Sequence, residues 1–187
     1  MHRFEPVKRC LCRAGSGGVG HVAVQIARSF GAEVYAIASA AKAGYIRSLG
    51  ATPIDYASET VDQYVKRCTG GRGFDLVYDT GGGKVLDASF VAVGRFGHVV
   101  SCLGWGQHAL APISFKGGTY SGVFTLLPLL SGEGREHHGE IMREATRLAE
   151  LGKLRPLLDR TFDLESVASA HETLVDGRAR GKLVIDI

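Results

Sequence analysis

The chain has 187 residues, 45% of them hydrophobic, which is enough for one globular domain with its own hydrophobic core. Its 22 basic and 19 acidic residues leave a net charge of only +3. No Lys/Arg block marks a surface for nucleic acid or anionic membrane, and no apolar stretch has the length of a membrane span. The first residues also lack the apolar core of a signal peptide. We therefore expect a cytoplasmic protein that binds neither nucleic acid nor membrane.

The four cysteines are Cys10, Cys12, Cys68 and Cys102, and no two of them form a C-x-x-C pair. Cys10 and Cys12 have no second pair of ligands elsewhere in the sequence that would complete a zinc site. We predict four reduced, structural thiols and no bound metal.

Short apolar runs alternate with amphipathic stretches along the chain, which is the pattern of strands and helices in turn. The predicted strands after the first are EVYAIAS, TPIDY, FDLVYD, GHVVSCLG and TYSGVF, and a long helix is predicted from residue 140 to 151. The polar stretch before that helix, with His137 and His138, is predicted to be a surface loop. This alternation predicts an α/β fold, a doubly wound parallel sheet.

The two ends of the chain differ from this pattern. In VKRCLCR, Lys8, Arg9 and Arg13 surround the only candidate for the first strand, and a buried central strand tolerates charges badly. At the other end, a helix from 165 to 175 and the run GKLVIDI follow a sheet that is already complete. We expect an atypical segment over 1–13, a dinucleotide-binding domain over 14–152 and a C-terminal tail over 153–187.

A glycine-rich loop precedes the first amphipathic helix. Gly15, Gly17 and Gly20 match G-x-G-x-x-G. The first glycine permits a tight turn, the second permits close approach of a pyrophosphate, and the third permits close packing of helix and strand. The position before a helix and a second apolar strand predicts dinucleotide binding in a Rossmann fold. The alternative is a tight turn with no ligand.

Other classes with glycine loops fit less well. A P-loop requires Gly-Lys-Ser/Thr, but Gly20 is followed by His21 and Val22. A hydrolase elbow requires a glycine two residues before Ser16, where Ala14 stands.

The second strand indicates which dinucleotide the loop holds. An acid about 20 residues beyond the loop binds the ribose 2′-hydroxyl of NAD, but this position is Ser39. Ser39 can donate a hydrogen bond to a 2′-phosphate, and Lys42 adds a positive charge. We predict NADP(H) as cofactor. The alternative is that Ser39 caps the next helix and Lys42 is a surface lysine.

The residues AGSGGVGHVAVQIARSFGAEVYAIAS, FDLVYDTGGG, GHVVSCLG and FDLESVASAHETLVDGRARGKLVIDI resemble the medium-chain dehydrogenase/reductase superfamily, and within it the zinc-independent quinone oxidoreductase branch. This resemblance implies NADPH-dependent reduction of quinones or conjugated carbonyl compounds. It also implies cofactor contacts at Gly15, Ser16, Gly17, Gly18, Val19, Gly20, Ser39, Lys42, Tyr56, Thr80, Ser101, Cys102, Leu103, Gly104, Val123, Phe124 and Lys182. Lys182 has the weakest support of these.

The resemblance also implies what this sequence lacks. In the family a catalytic β-barrel domain precedes the nucleotide domain, carries most zinc ligands and receives the C-terminal tail. Because this sequence begins almost at the first nucleotide-domain strand, we expect a shortened chain, and no side chain is assigned a catalytic role. The alternative function is an NADPH-binding module that reduces nothing.

Association is expected on two grounds. Family members pair through the edge strand of the nucleotide domain, here TYSGVF, which otherwise leaves backbone groups unpaired. The tail is also expected to expose Leu157, Leu158, Phe162 and Val184 as an apolar surface. We predict a homodimer.

Overall fold

The computed structural model describes residues 9–187 and is built on a parallel sheet of six strands. These are β1 (Arg9–Cys12), β2 (Glu33–Ala38), β3 (Thr52–Asp55), β4 (Phe74–Asp79), β5 (Val93–Ser101) and β6 (Thr119–Gly122). Their order is β3-β2-β1-β4-β5-β6, with every neighbouring pair parallel. This is the strand order of a doubly wound dinucleotide-binding sheet, and the predicted fold class is confirmed.

Eight helices, together with loops, connect the strands of the described chain. They are α1 (Gly20–Ser29), α2 (Ala43–Ser48), α3 (Val61–Thr69), α4 (Gly83–Ala92), α5 (Ala111–Ser114), α6 (Leu126–Ser131), α7 (Arg135–Glu150) and α8 (Val167–Val175). A 3₁₀ turn, Ala40–Lys42, precedes α2. Two further strands, β7 (Leu158–Asp163) and β8 (Lys182–Asp186), pair in parallel as a separate small sheet. Within residues 9–187, none of the helices combines the length and apolarity that crossing a bilayer requires.

The sheet separates two hydrophobic cores because successive strand residues point to opposite faces. Leu11, Tyr35, Ile37 and Val77 belong to one core, together with Tyr64 of α3 and Leu86 and Phe90 of α4. Cys10, Cys12, Val34 and Ala36 belong to the other, together with Val24 of α1 and Ile46 of α2. Helices therefore cover both faces, which leaves the sheet edges and the ends of the strands for function.

Strand β1 occupies the centre of the sheet although the sequence around it is charged. Cys10, Leu11 and Cys12 are at most 1% exposed, and the strand pairs with β2 and β4. The charge at its start is accommodated because the Nε of Arg9 lies 3.3 Å from Glu33 Oε2. Residues Arg9–Cys12 of the expected atypical segment are thus a regular strand of the sheet. The earlier part of the expected atypical segment, residues 1–8, lies outside the described residues.

The prediction of a surface loop around His137 and His138 is wrong, because both residues lie on α7. This helix begins at Arg135, five residues before the predicted start, directly after Gly134 with its positive φ of 77°. Only Leu148 of the helix is buried, so its first turns carry no apolar face that the sequence could reveal. The sequence of a helix with so little buried surface resembles that of a surface loop.

The C-terminal tail is attached to the main domain through α1. The side-chain amide of Gln25 donates to the carbonyl of Arg155 at 3.1 Å and accepts from its N–H at 2.8 Å. Leu154 is buried, while Leu158 is 62% exposed. The start of the tail is therefore fixed beside the glycine loop.

Candidate functional site

The order of the strands places a crevice at the carboxyl end of β1. The chain leaves β1 toward α1 on one face and leaves β4 toward α4 on the other, so the two connections diverge. Ligands of doubly wound sheets bind in such a crevice, outside the carboxyl ends of the strands. The loops after β1, β2, β4, β5 and β6 all reach this edge. The predicted site residues other than Tyr56 and Lys182 lie on these loops or at the ends of the elements that flank them, as Gly20 and Ser101 do.

The glycines after β1 are required by close packing. A Cβ on Gly15 would lie 2.6 Å from the Cβ of Ala36, and one on Gly20 would lie 2.1 Å from the carbonyl oxygen of Ala14. Gly17 donates its N–H to that same carbonyl at 2.9 Å. The loop is thus pressed between β2 and the start of α1, as the glycine motif predicts.

The first turn of α1 is open to an anion. Val19, at the N-cap, makes no side-chain cap, and the first turn contains no acid. Within residues 9–187, the N–H groups of Gly18 and Val19 donate no hydrogen bond. Unpaired N–H groups and the positive end of the helix dipole together favour a phosphate.

His21 is a structural residue of this loop. It is fully buried, its Nδ1 lies 2.8 Å from the carbonyl of Gly17, and its Nε2 accepts the N–H of Leu157 at 3.0 Å. Since Nε2 accepts, Nδ1 carries the proton and donates it to Gly17. A neutral imidazole thus joins the glycine loop to the tail, and nothing local in the sequence indicates the contact with Leu157.

The predicted 2′-phosphate residues lie at the ends of β2 and β3. Ser39 follows β2 in an extended conformation and makes no side-chain capping bond, so its hydroxyl is not used to cap the following turn. Lys42 is half-buried, and Tyr56 is 65% exposed. The N–H of Tyr56 donates to Ala38 at 3.4 Å, which ties the end of β3 to that of β2.

Asp79 organises the other half of the crevice, although it is not among the predicted site residues. It is 0% exposed, and its carboxylate accepts the hydroxyl of Ser101 at 2.8 Å and the N–H groups of Gly81 and Gly82 at 3.3 and 3.0 Å. The hydroxyl of Ser101 in turn accepts the N–H of Leu103 at 3.1 Å. The available signal was an acid at the carboxyl end of the predicted strand FDLVYD.

The side chains of two further predicted residues contact backbone carbonyls of neighbouring strands. The hydroxyl of Thr80 donates to the carbonyl of Arg13 at 3.0 Å, and so links β4 to β1. Cys102 is half-buried with its Sγ 3.8 Å from the carbonyl of Asp79.

The loops after β5 and β6 contact each other through aromatic rings. The ring of Trp105 meets that of Phe124 edge-on, with centroids 5.2 Å apart, and the two are 61% and 50% exposed. Val123 donates its N–H to Ser101 at 2.8 Å. A Cβ on Gly104 would lie 2.0 Å from the hydroxyl of Tyr120, so this loop is packed closely against β6. An exposed apolar wall results at this end of the crevice.

Lys182 reaches the glycine loop from the tail. A Cβ on Gly18 would lie 3.5 Å from the Nζ of Lys182. The structure therefore brings the predicted residues together in two groups along one edge. At the glycine loop lie Gly15, Ser16, Gly17, Gly18, Val19, Gly20, Lys42 and Lys182, with Ser39 and Tyr56 at the ends of the neighbouring strands β2 and β3. Around Asp79 lie Thr80, Ser101, Cys102, Leu103, Gly104, Val123 and Phe124.

The pair Cys10 and Cys12 lies below this edge, with the two Sγ atoms 3.9 Å apart. A hydrogen bond with the Cys10 thiol, together with burial, raises the pKa of Cys12 well above its usual value. The thiol therefore stays protonated and unreactive at neutral pH.

The described residues do not form a metal site. Within residues 9–187 no three His, Cys, Asp or Glu side chains are placed to hold one ion. Zinc requires four such ligands in a structural site, or three with an open position in a catalytic one. The described residues therefore do not fit a zinc ion.

Known proteins resemble this chain in sequence and in fold. The family model described as zinc-binding dehydrogenase matches residues 49–185. The spectinabilin polyketide synthase protein NorB of Streptomyces orinoci is 34% identical over 178 residues, which are 95% of this chain and 8% of that protein.

Solved structures match over almost the whole chain. An alcohol dehydrogenase superfamily protein from Novosphingobium aromaticivorans is 54% identical with a TM-score of 0.94, over 98% of this chain and 57% of that one. The CurK enoyl reductase is 28% identical with a TM-score of 0.81, over 98% and 55%. The quinone oxidoreductase of Coxiella burnetii is 28% identical with a TM-score of 0.75, over 96% and 53%.

This chain thus spans a little over half of those solved chains and less than a tenth of the polyketide synthase protein. The glycine loop, the strand order and these matches all indicate the same family. The chain belongs to the zinc-binding dehydrogenase family, within the medium-chain dehydrogenase/reductase superfamily.

Proposed function

We propose that this chain is the nucleotide-binding part of an NADPH-dependent oxidoreductase that reduces quinones or conjugated carbonyl compounds. The single observation that carries the proposal is the glycine loop, packed without room for a side chain at Gly15 and Gly20, in front of an uncapped helix. That arrangement offers backbone N–H groups to a pyrophosphate and places no acid against it.

Each end of the crevice has its own task in this proposal. The N–H groups of Gly18 and Val19 hold the pyrophosphate, and the ammonium of Lys182 adds charge beside them. At the other end, Asp79 fixes the loop after β5 through Ser101. The backbone there and the rings of Trp105 and Phe124 give this end of the site an apolar wall. A bound nicotinamide nucleotide supplies the hydride.

The choice of NADPH over NADH is supported by the end of β2. Ser39 stands where a carboxylate would repel a 2′-phosphate, and its hydroxyl is not engaged in a helix cap. Lys42 lies one turn further on. Quinones and conjugated carbonyls are supported by two of the solved relatives, which are named as a quinone oxidoreductase and an enoyl reductase.

We expect the chain to bind NADPH at least tenfold more tightly than NADH. Titration with each nucleotide, followed through the emission of Trp105, measures both affinities because this tryptophan directly follows the predicted contacts at 101–104. Lys42→Ala should weaken NADPH binding about tenfold and leave NADH unchanged, since a charge-assisted contact is lost. Lys66→Ala, at an exposed position of α3, is the matched control.

Equal affinity for the two nucleotides would contradict the choice of NADPH. No binding of either, in a chain shown to be folded by circular dichroism, would contradict the function as a whole.

The second candidate function is a binding module that holds NADPH and reduces nothing. The chain itself spans 53% to 57% of the three solved relatives described above. NADPH oxidation in the presence of 1,4-naphthoquinone separates the two candidates, because only the enzyme turns over. A homodimer and a cytoplasmic location stay predictions from the sequence.

A further inference from the structure

We propose that Arg180, on the C-terminal tail, is a second cation for the adenosine 2′-phosphate and makes the tail a wall of the nucleotide site. This inference rests on the proposed function, that a dinucleotide binds at the glycine loop. The resemblance assigned Lys182 near the cofactor, but neither the sequence nor the comparisons assign a role to Arg180.

The first observation is a cavity of about 500 Å³ between the main domain and the tail. Ser16 of the glycine loop, Ala41, Lys42 and Tyr45 line one side of it. The other side is lined by the tail, through Leu157, Leu158, Asp159 and Arg180. A nucleotide on the glycine loop that extends toward Lys42 would therefore also face the tail.

The second observation is the balance of charge in this cavity. Asp159 is the one acid among the residues that line it, and its Oδ2 accepts the backbone N–H of Arg180 at 3.2 Å and lies 3.5 Å from the Nε of Arg160. Among residues 9–187, no acceptor binds the guanidinium of Arg180. Lys42 and Arg180 thus contribute two positive charges to the cavity from opposite sides, and its one acid is already paired.

The third observation is that the tail is held in place at this point. Leu157 donates to His21 at 3.0 Å and accepts the N–H of Lys182 at 2.8 Å. Gly181 has a φ of 103°, and a Cβ there would lie 2.3 Å from the carbonyl oxygen of Leu157. The two residues that flank Gly181, Arg180 and Lys182, are therefore fixed relative to the glycine loop.

The chemistry of the two cations suits a phosphomonoester. A guanidinium presents parallel N–H donors to two oxygens, and an ammonium acts as a compact charge beside them. A ribose 2′-hydroxyl carries no charge and gains little from either. Arg180 should therefore contribute to the choice between the two nucleotides rather than to nucleotide binding in general.

The test uses the whole chain and two fragments of the nucleotide, adenosine 2′,5′-bisphosphate and 5′-AMP, in isothermal titration calorimetry. We expect Arg180→Ala to weaken binding of the bisphosphate at least tenfold and to change binding of 5′-AMP less than twofold. Arg180→Lys should recover part of the loss. Arg178→Ala is the matched control, because Arg178 is exposed two residues away and pairs with Asp176 at 2.7 Å.

The outcomes separate this inference from the function on which it rests. If the unchanged chain binds neither fragment, the proposed nucleotide site itself fails. If it binds the bisphosphate and Arg180→Ala binds it equally well, Arg180 has no such role, while the nucleotide site stands. An equal loss for both fragments would also overturn the inference, because it would show a general effect of the tail. Thermal melting of each variant confirms that it is folded.

Discussion

Arg13 shows how a charge is kept at the end of a buried central strand. It is 8% exposed, its Nη1 donates to the hydroxyl of Tyr64 at 2.9 Å, and its Nε has no partner within the described chain. Burial raises the pKa of Tyr64, and the charge of Arg13 opposes that rise. A phenol thus takes the place that a carboxylate would normally have beside a buried guanidinium.

A double-mutant cycle tests this pairing. Tyr64→Phe should lower the free energy of unfolding by about 1–3 kcal/mol, because it leaves a buried cation without its acceptor. Adding Arg13→Met should recover most of that loss, since the cation is then replaced by an apolar side chain. Urea unfolding of the four proteins measures the coupling. Strictly additive effects would mean that the two side chains are independent.

At the scale of residues, the sequence predicts contacts within a motif better than contacts between distant segments. The packing at Gly15 and Gly20 follows from the spacing of the motif itself. The partners of Arg13 and His21 lie 51 and 136 residues away. Only the folded chain brings such pairs together.

At the scale of elements, a histidine connects α4 to the loop after β5. The Nδ1 of His108 lies 2.7 Å from Asp87 Oδ1, and its Nε2 lies 3.3 Å from the carbonyl of Trp105. Both neighbours are acceptors, so both ring nitrogens donate only when the imidazole is protonated. The hydrogen bond to Asp87 raises the pKa of His108, and the nearby charge of Asp79 adds to it.

This connection predicts a pH dependence. Because the pKa of His108 is higher in the folded than in the unfolded chain, its stabilisation is complete below about pH 6.5 and is lost as the pH rises through the folded value. His108→Asn should therefore lower the melting temperature at pH 6 and change it little at pH 9. His137→Asn is the control, because His137 and its partner Glu140 both lie exposed on the surface. An unchanged difference from wild type across this range would refute the connection.

Prediction of the elements succeeded where apolar periodicity was strong. The alternation of strands and helices indicated the parallel sheet, and the order of its strands agrees. Strand β1 was the only candidate for the first strand but looked atypical, because only three buried residues, two of them cysteines, lie between charged ones. The predicted start of helix α7 lies five residues too late, because its first turns have no apolar face. In both places tertiary contacts, rather than local pattern, decide the structure.

At the scale of the whole molecule, an open edge and an apolar surface lie side by side. Strand β6 pairs only with β5, so its other edge is unpaired within residues 9–187. The helix that follows exposes Leu127 and Leu130 by 61% and 73%. Open strand edges and contiguous apolar patches favour association.

We therefore expect this chain to form a dimer at micromolar concentration. Leu127→Glu with Leu130→Glu should shift it to a monomer, because two charges would be buried in the interface. Val175→Glu, at an 86% exposed position on α8, should leave the dimer intact. Multi-angle light scattering measures the mass of each protein. A monomeric unchanged chain, or a dimer that the two glutamates do not affect, would contradict this interface.

The imidazole of His21 has a consequence for the energetics of the chain. One ring holds the loop that would bind phosphate and the segment that begins the tail, so the two share a free energy of coupling. Such coupling is reciprocal: whatever a nucleotide adds to the attachment of the tail, the attached tail adds to the affinity for the nucleotide. In the proposed site, the tail segment at Leu157 would thereby change the affinity of a loop formed near the beginning of the chain.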